Sequence, residues 1–296
     1  MRKHKGKSKA EVEREITSQI IAALESDTGN WSKPWASLDG APSNAKTGRD
    51  YRGVNRLVLS FTQHSAMYPR GIWAGYGQWQ ALGAQVIKGE KATYITLRRE
   101  RRKKSEDDPN DYTVMGVSWS IAHVFNVAQV HGYEVPALAD PRALQDYLEY
   151  ANAKAFVART GATIKHGGDK AFYMPSKDAI MLPAREAFSD GAAYYATLFH
   201  ELTHWTGADK RLDRNQRDKF GTNHYAFEEL VAEIGAAFLC SDMGVSNDEP
   251  RTDHAQYLKH WLEILRASDR AIFTAAAQAG KATEYLNELT AVRVAA

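Results

Sequence analysis

The sequence predicts an α+β fold with two domains, and three observations support this prediction. The chain has 296 residues, more than most single domains, and 44% of them are hydrophobic, which is enough for packed cores. Short helical and extended patterns alternate in its first half, and longer helical patterns prevail in its second half. Residues 1–135 carry 20 Lys and Arg against 14 Asp and Glu, whereas residues 136–296 carry 18 against 22. We therefore expect one domain over 1–135 and another over 136–296.

The N-terminal half begins with a predicted helix over residues 10–25, where Val12, Ile16, Ile20 and Leu24 form one apolar stripe. The later elements predicted in this half are helices near 56–66 and 77–82 and strands near 92–98 and 112–126. The basic run 98–104 and the acidic residues 106–108 indicate a flexible hairpin loop between these strands. We expect residues 130–140 to form the linker between the two domains.

The C-terminal half has the pattern of a small sheet followed by long helices. We predict a first helix over 141–160 and strands over 162–165, 170–175 and 178–183. Two central helices around 192–206 and 227–239 and two final helices near 252–267 and 269–290 complete the prediction.

The segment His200-Glu201-Leu202-Thr203-His204 is the most informative in the chain. On a helix, positions i and i+4 share a face, so His200 and His204 can bind one cation with Glu201 beside it. Ser189 or Asp190 can begin this helix as its cap, and Gly207 can end it. The pattern is typical of a metal-dependent hydrolase of the zincin type.

A catalytic zinc site needs three protein ligands and an open position, so a third ligand must lie elsewhere. Glu229 and Glu233 are four residues apart on the next predicted helix, a spacing that resembles the zincins with a glutamate ligand. The resemblance implies Glu229 as third ligand and Glu233 as the carboxylate that orients a ligand imidazole. Glu228, about 100° round the helix, is the competing ligand.

The expected chemistry is hydrolysis of a peptide bond. Glu201 would be the catalytic residue, as the general base that takes a proton from water activated by the metal. His224 and Tyr225 lie just before the predicted helix that carries Glu229, and they are candidate hydrogen-bond donors to the oxyanion formed in the reaction.

The N-terminal half also contains five of the seven tryptophans, interleaved with positive charge. Cations that track a phosphate backbone and rings that stack on bases are what single-stranded nucleic acid requires. The competing interpretation places the aromatic residues in the core. The candidate DNA-binding residues are Arg49, Tyr51, Arg52, Trp73 and Lys91.

Composition also bears on the compartment. No apolar run approaches 18 residues, which predicts no membrane span. The single cysteine, Cys240, excludes an intrachain disulfide and agrees with a reducing cytoplasm, where we expect it as a buried thiol.

Several motifs together resemble the plasmid-borne ArdC-type antirestriction proteins. In the N-terminal half they are Trp31-Ser32-Lys33-Pro34-Trp35, Pro42-Ser43-Asn44 and residues 47–55, 83–91 and 124–129, and in the C-terminal half residues 200–204 and 229–239. The resemblance implies an N-terminal domain that binds single-stranded DNA and a C-terminal zincin-like metallopeptidase domain. It also implies a bacterial cytoplasmic protein that protects incoming plasmid DNA during conjugation.

The resemblance further implies Zn2+ as cofactor, with Mn2+ or another divalent cation as alternatives, and a protein substrate that the sequence does not identify. By analogy of fold, residues 178–182 would be the strand that pairs with an extended substrate. The main alternative function is a protein that coats single-stranded DNA and keeps its metal site for stability. A metal-dependent nuclease is less favoured, because nucleases usually have carboxylate-rich sites, often with two metals.

Overall fold

The computed structural model describes residues 8–26, 41–104, 112–136, 150–214, 223–245 and 254–291. Its helices are α1 (Lys9–Ser26), α2 (Gly53–Ser65), α3 (Tyr76–Ala81), α4 (Ala151–Thr160), α5 (Gly191–Thr206), α6 (Asn223–Met243), α7 (His254–Ala267) and α8 (Ala271–Thr290). Its strands are β1 (Ser43–Asn44), β2 (Ile72–Gly75), β3 (Gln85–Val86), β4 (Thr93–Lys104), β5 (Tyr112–Asn126), β6 (Val130–His131), β7 (Thr163–His166), β8 (Phe172–Met174) and β9 (Ala179–Leu182). The predicted α+β class is confirmed.

The N-terminal half is built on a four-stranded sheet in the order β1-β2-β5-β4. Strands β4 and β5 form a long antiparallel hairpin, in which Thr93 pairs with Val124 and Lys104 with Tyr112. The prediction of a flexible loop over 98–104 is wrong, because these residues continue strand β4. Backbone pairing with β5 continues through the charged residues 98–104, so the strand extends beyond the apolar residues from which it was predicted. The acidic residues 106–108 lie outside the described residues.

Helices α1 and α2 belong to the N-terminal half but share a core with the C-terminal helices. The predicted stripe of α1 is buried, and it lies in one apolar cluster with Leu57 and Phe61 of α2 and with residues of α6, α7 and α8. Gly280 of α8 lies against the start of α2, where an added Cβ would be 3.3 Å from the Cα of Gly53. The two halves are therefore packed together through helices.

The C-terminal half contains a three-stranded sheet in the order β7-β9-β8. Strand β9 pairs in parallel with β7 and antiparallel with β8. The prediction that residues 178–182 pair with a substrate is therefore wrong, since β9 is the central strand and both its edges are used. Within the described part of the chain, β8 is the antiparallel edge strand of this sheet.

The remaining predicted helices and strands agree with the structure in type, but the linker predicted over 130–140 is wrong at its start, because residues 130–131 form strand β6 and pair with β3. The first helix of the C-terminal half is described over Ala151–Thr160, and residues 137–149 of its predicted span and of the linker lie outside the described residues. Cys240 is buried, as expected. Among the described residues, none of the helices combines the length and apolar character that crossing a bilayer requires.

Candidate metal centre

Helix α5 carries the first part of the site, and its ends are defined by local interactions. Asp190 caps its start, since its Oδ1 accepts from the backbone N–H of Ala193 at 2.7 Å. Gly207 follows the last turn, as predicted. His200 and Glu201 are 5% and 4% exposed, so the motif lies on a buried part of the helix.

Helix α6 crosses α5 at very close range. Gly235 of α6 lies against Thr203 of α5, and a Cβ at position 235 would be 2.6 Å from the Cγ2 of Thr203. Such proximity requires a glycine, because real Cβ atoms do not approach other heavy atoms that closely. The close crossing brings the carboxylates of α6 against the imidazoles of α5.

Three predicted ligands meet at this crossing. The Nε2 atoms of His200 and His204 are 3.2 Å apart, and each lies 3.4 Å from an oxygen of Glu229. Three ligands at about 2.0–2.1 Å from a tetrahedral zinc would be about 3.3 Å from one another. Two imidazole nitrogens and a carboxylate therefore fit a divalent cation in both chemistry and spacing.

Two further carboxylates of α6 lie on the outer sides of the imidazole rings. Glu233 Oε1 is 2.8 Å from Nδ1 of His200, the position predicted for it. Glu228 Oε1 is 3.3 Å from Nδ1 of His204. Glu228, the competing ligand, thus lies on the side of His204 that faces away from the cluster, where it can orient this ring.

Arg214 holds Glu228 and was missed by the sequence prediction. Its Nη2 donates to Glu228 Oε1 at 2.9 Å, and its Nε donates to Oε2 at 3.1 Å. Arg214 lies eight residues after the end of α5 in a turn-rich segment, and no helical or strand periodicity relates it to Glu228. Only the folded turn brings them together.

The electrostatics of the cluster favour a bound positive charge. Burial alone would lower the pKa of His204, but Glu229, Glu228 and Glu201 outweigh it and raise that pKa well above its usual value. Burial opposes ionisation of Glu229, yet His204 and His200 lower its pKa. Burial likewise opposes ionisation of Glu228, but His204 and Arg214 lower its pKa to about 2. These two carboxylates are therefore ionised at neutral pH and favour a positive charge beside them, either on the imidazole of His204 or on a bound cation.

The predicted oxyanion donors lie at the start of α6. His224 is exposed and lines a cavity of about 440 Å³ together with Arg214, Phe227 and Glu228. Tyr225 is half-buried. Their role as donors stays a prediction.

The predicted DNA-binding residues fall into two groups. Trp73 is fully buried in a cluster with Leu59, Ile95 and Val124, so its prediction as a stacking residue is wrong. Tyr51 is half-buried against the same cluster, and its hydroxyl accepts from Asn44 Nδ2 at 2.9 Å. At position 73 the large apolar ring is buried in the core, so it is not available to stack on a base.

The basic residues of the prediction, by contrast, are exposed. Arg49 and Lys91 lie on the surface, and Arg52 is paired through Nη1 with Glu284 Oε1 of α8 at 3.2 Å. An exposed aromatic residue that the sequence prediction missed is Tyr76, which is 45% exposed at the start of α3. Helical periodicity gave no signal for it, because α3 is only one and a half turns long.

Models of two protein families match the chain. Residues 10–127 match the N-terminal domain of anti-restriction factor ArdC, and residues 151–278 match a zincin-like metallopeptidase family. The two matched regions confirm the predicted two-domain organisation. The boundary between residues 135 and 136 stays a prediction.

Individual relatives agree with these family matches. A protein of Sinorhizobium fredii named y4eC is 39% identical over 92% of this chain and 90% of its own length. A DNA primase TraC of Escherichia coli is 37% identical over 92% of this chain, but the match covers 26% of that primase. Crystal structures of the antirestriction ArdC protein from plasmid R388 are 35% identical to this chain. The metal-free structure gives a TM-score of 0.73 over 94% of this chain and 97% of that chain, and the Mn(II)-bound structure gives 0.72 over 95% and 98%.

Proposed function

This chain belongs to the ArdC antirestriction family, and from that premise we propose that it protects DNA as a metal-dependent peptidase that binds single-stranded DNA. The observation that carries the proposal is the meeting of His200, His204 and Glu229, with ligand atoms 3.2–3.4 Å apart and Glu201 next to the first ligand on the same helix. The setting we propose is the transfer of plasmid DNA between bacterial cells.

The proposed peptidase site assigns a role to each residue. His200, His204 and Glu229 would hold the cation, and Glu233 and Glu228 would orient the two imidazoles. A bound Zn2+ or Mn2+ would activate a water ligand and polarise the carbonyl of the substrate. Glu201 would take the proton of the water and pass it to the leaving amine.

Strand β8 is the surface that we propose for an extended substrate. It is the antiparallel edge of the three-stranded sheet in the described chain, and it packs near α5, which carries the motif. An edge strand offers unpaired backbone N–H and C=O groups to an added strand. Phe172 on this edge is 43% exposed and offers an apolar contact to a substrate side chain.

The exposed basic residues of the N-terminal half would form the surface that binds single-stranded DNA. Arg49, Arg52 and Lys91 would contact phosphates, and Tyr76 would be an exposed ring on which a base can stack. Binding to single strands should weaken with salt, because each phosphate contact releases counterions.

The alternative is a protein that coats DNA and uses the metal site for stability. It is favoured by the burial of Glu201, which is 4% exposed. Glu201→Gln separates the two functions, since it preserves the shape of the side chain and removes the base. We expect the variant to bind metal and single-stranded DNA like the wild type but to lose protection of incoming DNA in a conjugation assay. Full protection by this variant would show that the base is not needed, and it would favour the coating function.

The ligand assignment has its own test by elemental analysis. His200→Ala, His204→Ala and Glu229→Ala should each lose stoichiometric metal, because two remaining ligands hold a cation poorly. Glu228→Ala should weaken binding without abolishing it. If Glu229→Ala keeps its metal and Glu228→Ala loses it, Glu228 is the third ligand.

A further inference from the structure

The environment of His204 involves a residue outside the two helices of the site. The Nε2 of this imidazole faces His200 and Glu229, and its Nδ1 faces Glu228 at 3.3 Å. A histidine that binds a cation through Nε2 carries its remaining proton on Nδ1, so an ionised carboxylate at Glu228 fixes both the tautomer and the ring orientation.

Glu228 is buried, and its charge is compensated by Arg214. Arg214 is also buried, with a side chain that is 7% exposed. Its guanidinium contacts both oxygens of Glu228, at 2.9 Å from Nη2 and 3.1 Å from Nε. A side-on contact of this kind fixes the plane of the carboxylate as well as its charge, which a lysine ammonium cannot do.

The same guanidinium is hydrogen-bonded to the end of α5, the helix that carries His204. Its Nη1 donates to Thr206 Oγ1 at 2.8 Å, and its Nη2 donates to the carbonyl of Thr203 at 2.6 Å. The backbone N–H of Arg214 donates to the carbonyl of Gly207 at 2.9 Å, so the segment after α5 folds back onto this helix. Arg214 thus connects the helix that carries His204 with the carboxylate that faces it.

We infer that Arg214 is a positioning residue of the metal centre, which acts on His204 through Glu228. The inference rests on the proposed metal-dependent function and adds a residue that the HExxH and glutamate pattern does not include. Arg214 would not bind the cation itself, because its guanidinium contacts Glu228 and the end of α5. Its effect would be on how well the site binds metal.

The chain offers a matched control for this role in Arg211. Arg211 also donates to a carbonyl at the end of α5, that of Trp205 at 2.5 Å, and it also pairs with a carboxylate, that of Asp178. That carboxylate does not face a ligand imidazole. Loss of either arginine should therefore reduce stability, but only loss of Arg214 should disturb His204.

The experiment compares full-length wild type, Arg214→Ala, Arg214→Lys and Arg211→Ala. Zn2+ affinity is measured by competition with a chromophoric chelator, coordination by the visible spectrum of the Co2+ form, and stability by thermal unfolding without metal. We expect Arg214→Ala to lose about 10–100-fold in Zn2+ affinity and to change the Co2+ spectrum. Arg214→Lys should recover only part of the loss, and Arg211→Ala should bind Zn2+ within about threefold of the wild type despite its lower unfolding temperature.

A double-mutant cycle keeps the inference falsifiable if Arg214→Ala is unstable. Because Arg214 acts through Glu228, Arg214→Lys should have little further effect on Zn2+ affinity in a Glu228→Gln background. Additive losses, equal losses in Arg211→Ala and Arg214→Ala, or wild-type affinity in Arg214→Ala would each overturn the inference while the proposed function stands. A wild-type chain that binds no Zn2+, Co2+ or Mn2+ would overturn both.

Discussion

At the scale of single residues, a second charged cluster stabilises the chain near the end of α5. The carboxylate of Asp178 accepts from Arg211 Nη2 at 2.5 Å and from the hydroxyl of Tyr173 at 2.7 Å. The guanidinium of Arg211 also lies over the ring of Trp205, 3.8 Å from its centroid. This cluster joins strand β8, the turn before β9 and the segment that follows α5.

The cluster makes part of the stability dependent on pH. Arg211 lowers the pKa of Asp178 from its ordinary value of 3.8, against the effect of burial and with help from Lys210 and Tyr173. Burial and Asp178 in turn raise the pKa of Tyr173 to about 12. Because the folded state binds the proton of Asp178 more weakly than the unfolded state, the stabilisation is fully present above pH 3.8 and is lost as the pH falls below it.

We therefore expect Asp178→Asn to be less stable than the wild type at pH 7, by about 1–3 kcal/mol. The variant leaves the nearly buried Arg211 without its charged partner, and the partial exposure of Asp178 keeps the loss below that of a fully buried pair. Urea unfolding at pH values from 7 to 3 measures the effect. The difference between wild type and variant should shrink below pH 4, and a constant difference over the whole range would contradict the assigned cause.

The residues of the site differ in how far the sequence could predict them. His200 and His204 follow from a spacing of four residues on one helix, with Glu201 next to the first of them. Glu229 and Glu233 follow from the resemblance of their spacing to that of zincins with a glutamate ligand. Glu228 was identified only as a competing ligand, since the rotation of one helix against another is set by packing. Trp73 was assigned wrongly, because a local pattern of charge and aromatic residues does not distinguish a buried ring from an exposed one.

At the scale of elements, the α5–α6 crossing determines the ligand distances. Gly235 permits this crossing, because Thr203 occupies the space where a Cβ would lie. Thr203 is immediately before His204 and is itself fixed by a hydrogen bond from its hydroxyl to the carbonyl of Phe199 at 2.8 Å. A larger residue at position 235 must therefore shift α5 or rotate Thr203.

Gly235→Ala should lower both stability and metal affinity. We expect a loss of about 1–3 kcal/mol from overpacking and a weaker Zn2+ site, because the displaced turn carries a ligand. Thermal unfolding and chelator competition measure the two effects. Gly77→Ala in α3 is the matched control, since nothing lies within 4 Å of a Cβ there and alanine is the better helix former. A Gly235→Ala variant that resembles this control would contradict the role of the crossing.

Elements were easier to predict than their arrangement. Long amphipathic patterns gave the helices of both halves, and short apolar runs gave the strands of the small sheet. The order β7-β9-β8 could not be read from the sequence, because pairing between strands depends on contacts distant in the chain. The wrong choice of β9 as the edge strand follows directly from that limit.

At the scale of the whole molecule, the two halves meet in a shared helical core and along a cleft. Arg56 of α2 is buried, and its Nη2 lies 2.8 Å from both the carbonyl of Phe238 and Oδ1 of Asp242 on α6. The cleft beside this contact has a volume of about 800 Å³. Its charged lining comprises Arg49, Asp50, Arg52 and Arg56 from the N-terminal half and Asp242, Glu284 and Glu288 from the C-terminal half.

In the proposed function Arg52 contacts a phosphate, so DNA and Glu284 of α8 would compete for this side chain. The side chains of Arg52 and Glu284 are 80% and 48% exposed, so their pair at 3.2 Å is easily broken and contributes at most about 1 kcal/mol. A phosphate that binds Arg52 must displace Glu284. Removing this carboxylate should therefore strengthen binding of single-stranded DNA by up to about fivefold at low salt.

Glu284→Gln, Arg52→Ala and the double variant test this prediction in anisotropy titrations of the full chain. Arg52→Ala should weaken binding and reduce the salt slope by about one contact, and Glu284→Gln should have no effect once Arg52 is absent. Glu263→Gln on α7 makes the same change in net charge at a residue that does not line the cleft. Equal gains in DNA affinity in Glu284→Gln and Glu263→Gln would show that the effect comes from the change in net charge and not from competition for Arg52. An unchanged affinity for single-stranded DNA in Arg52→Ala would show that Arg52 does not contact DNA. Glu284 of α8 would then not compete with DNA for this residue.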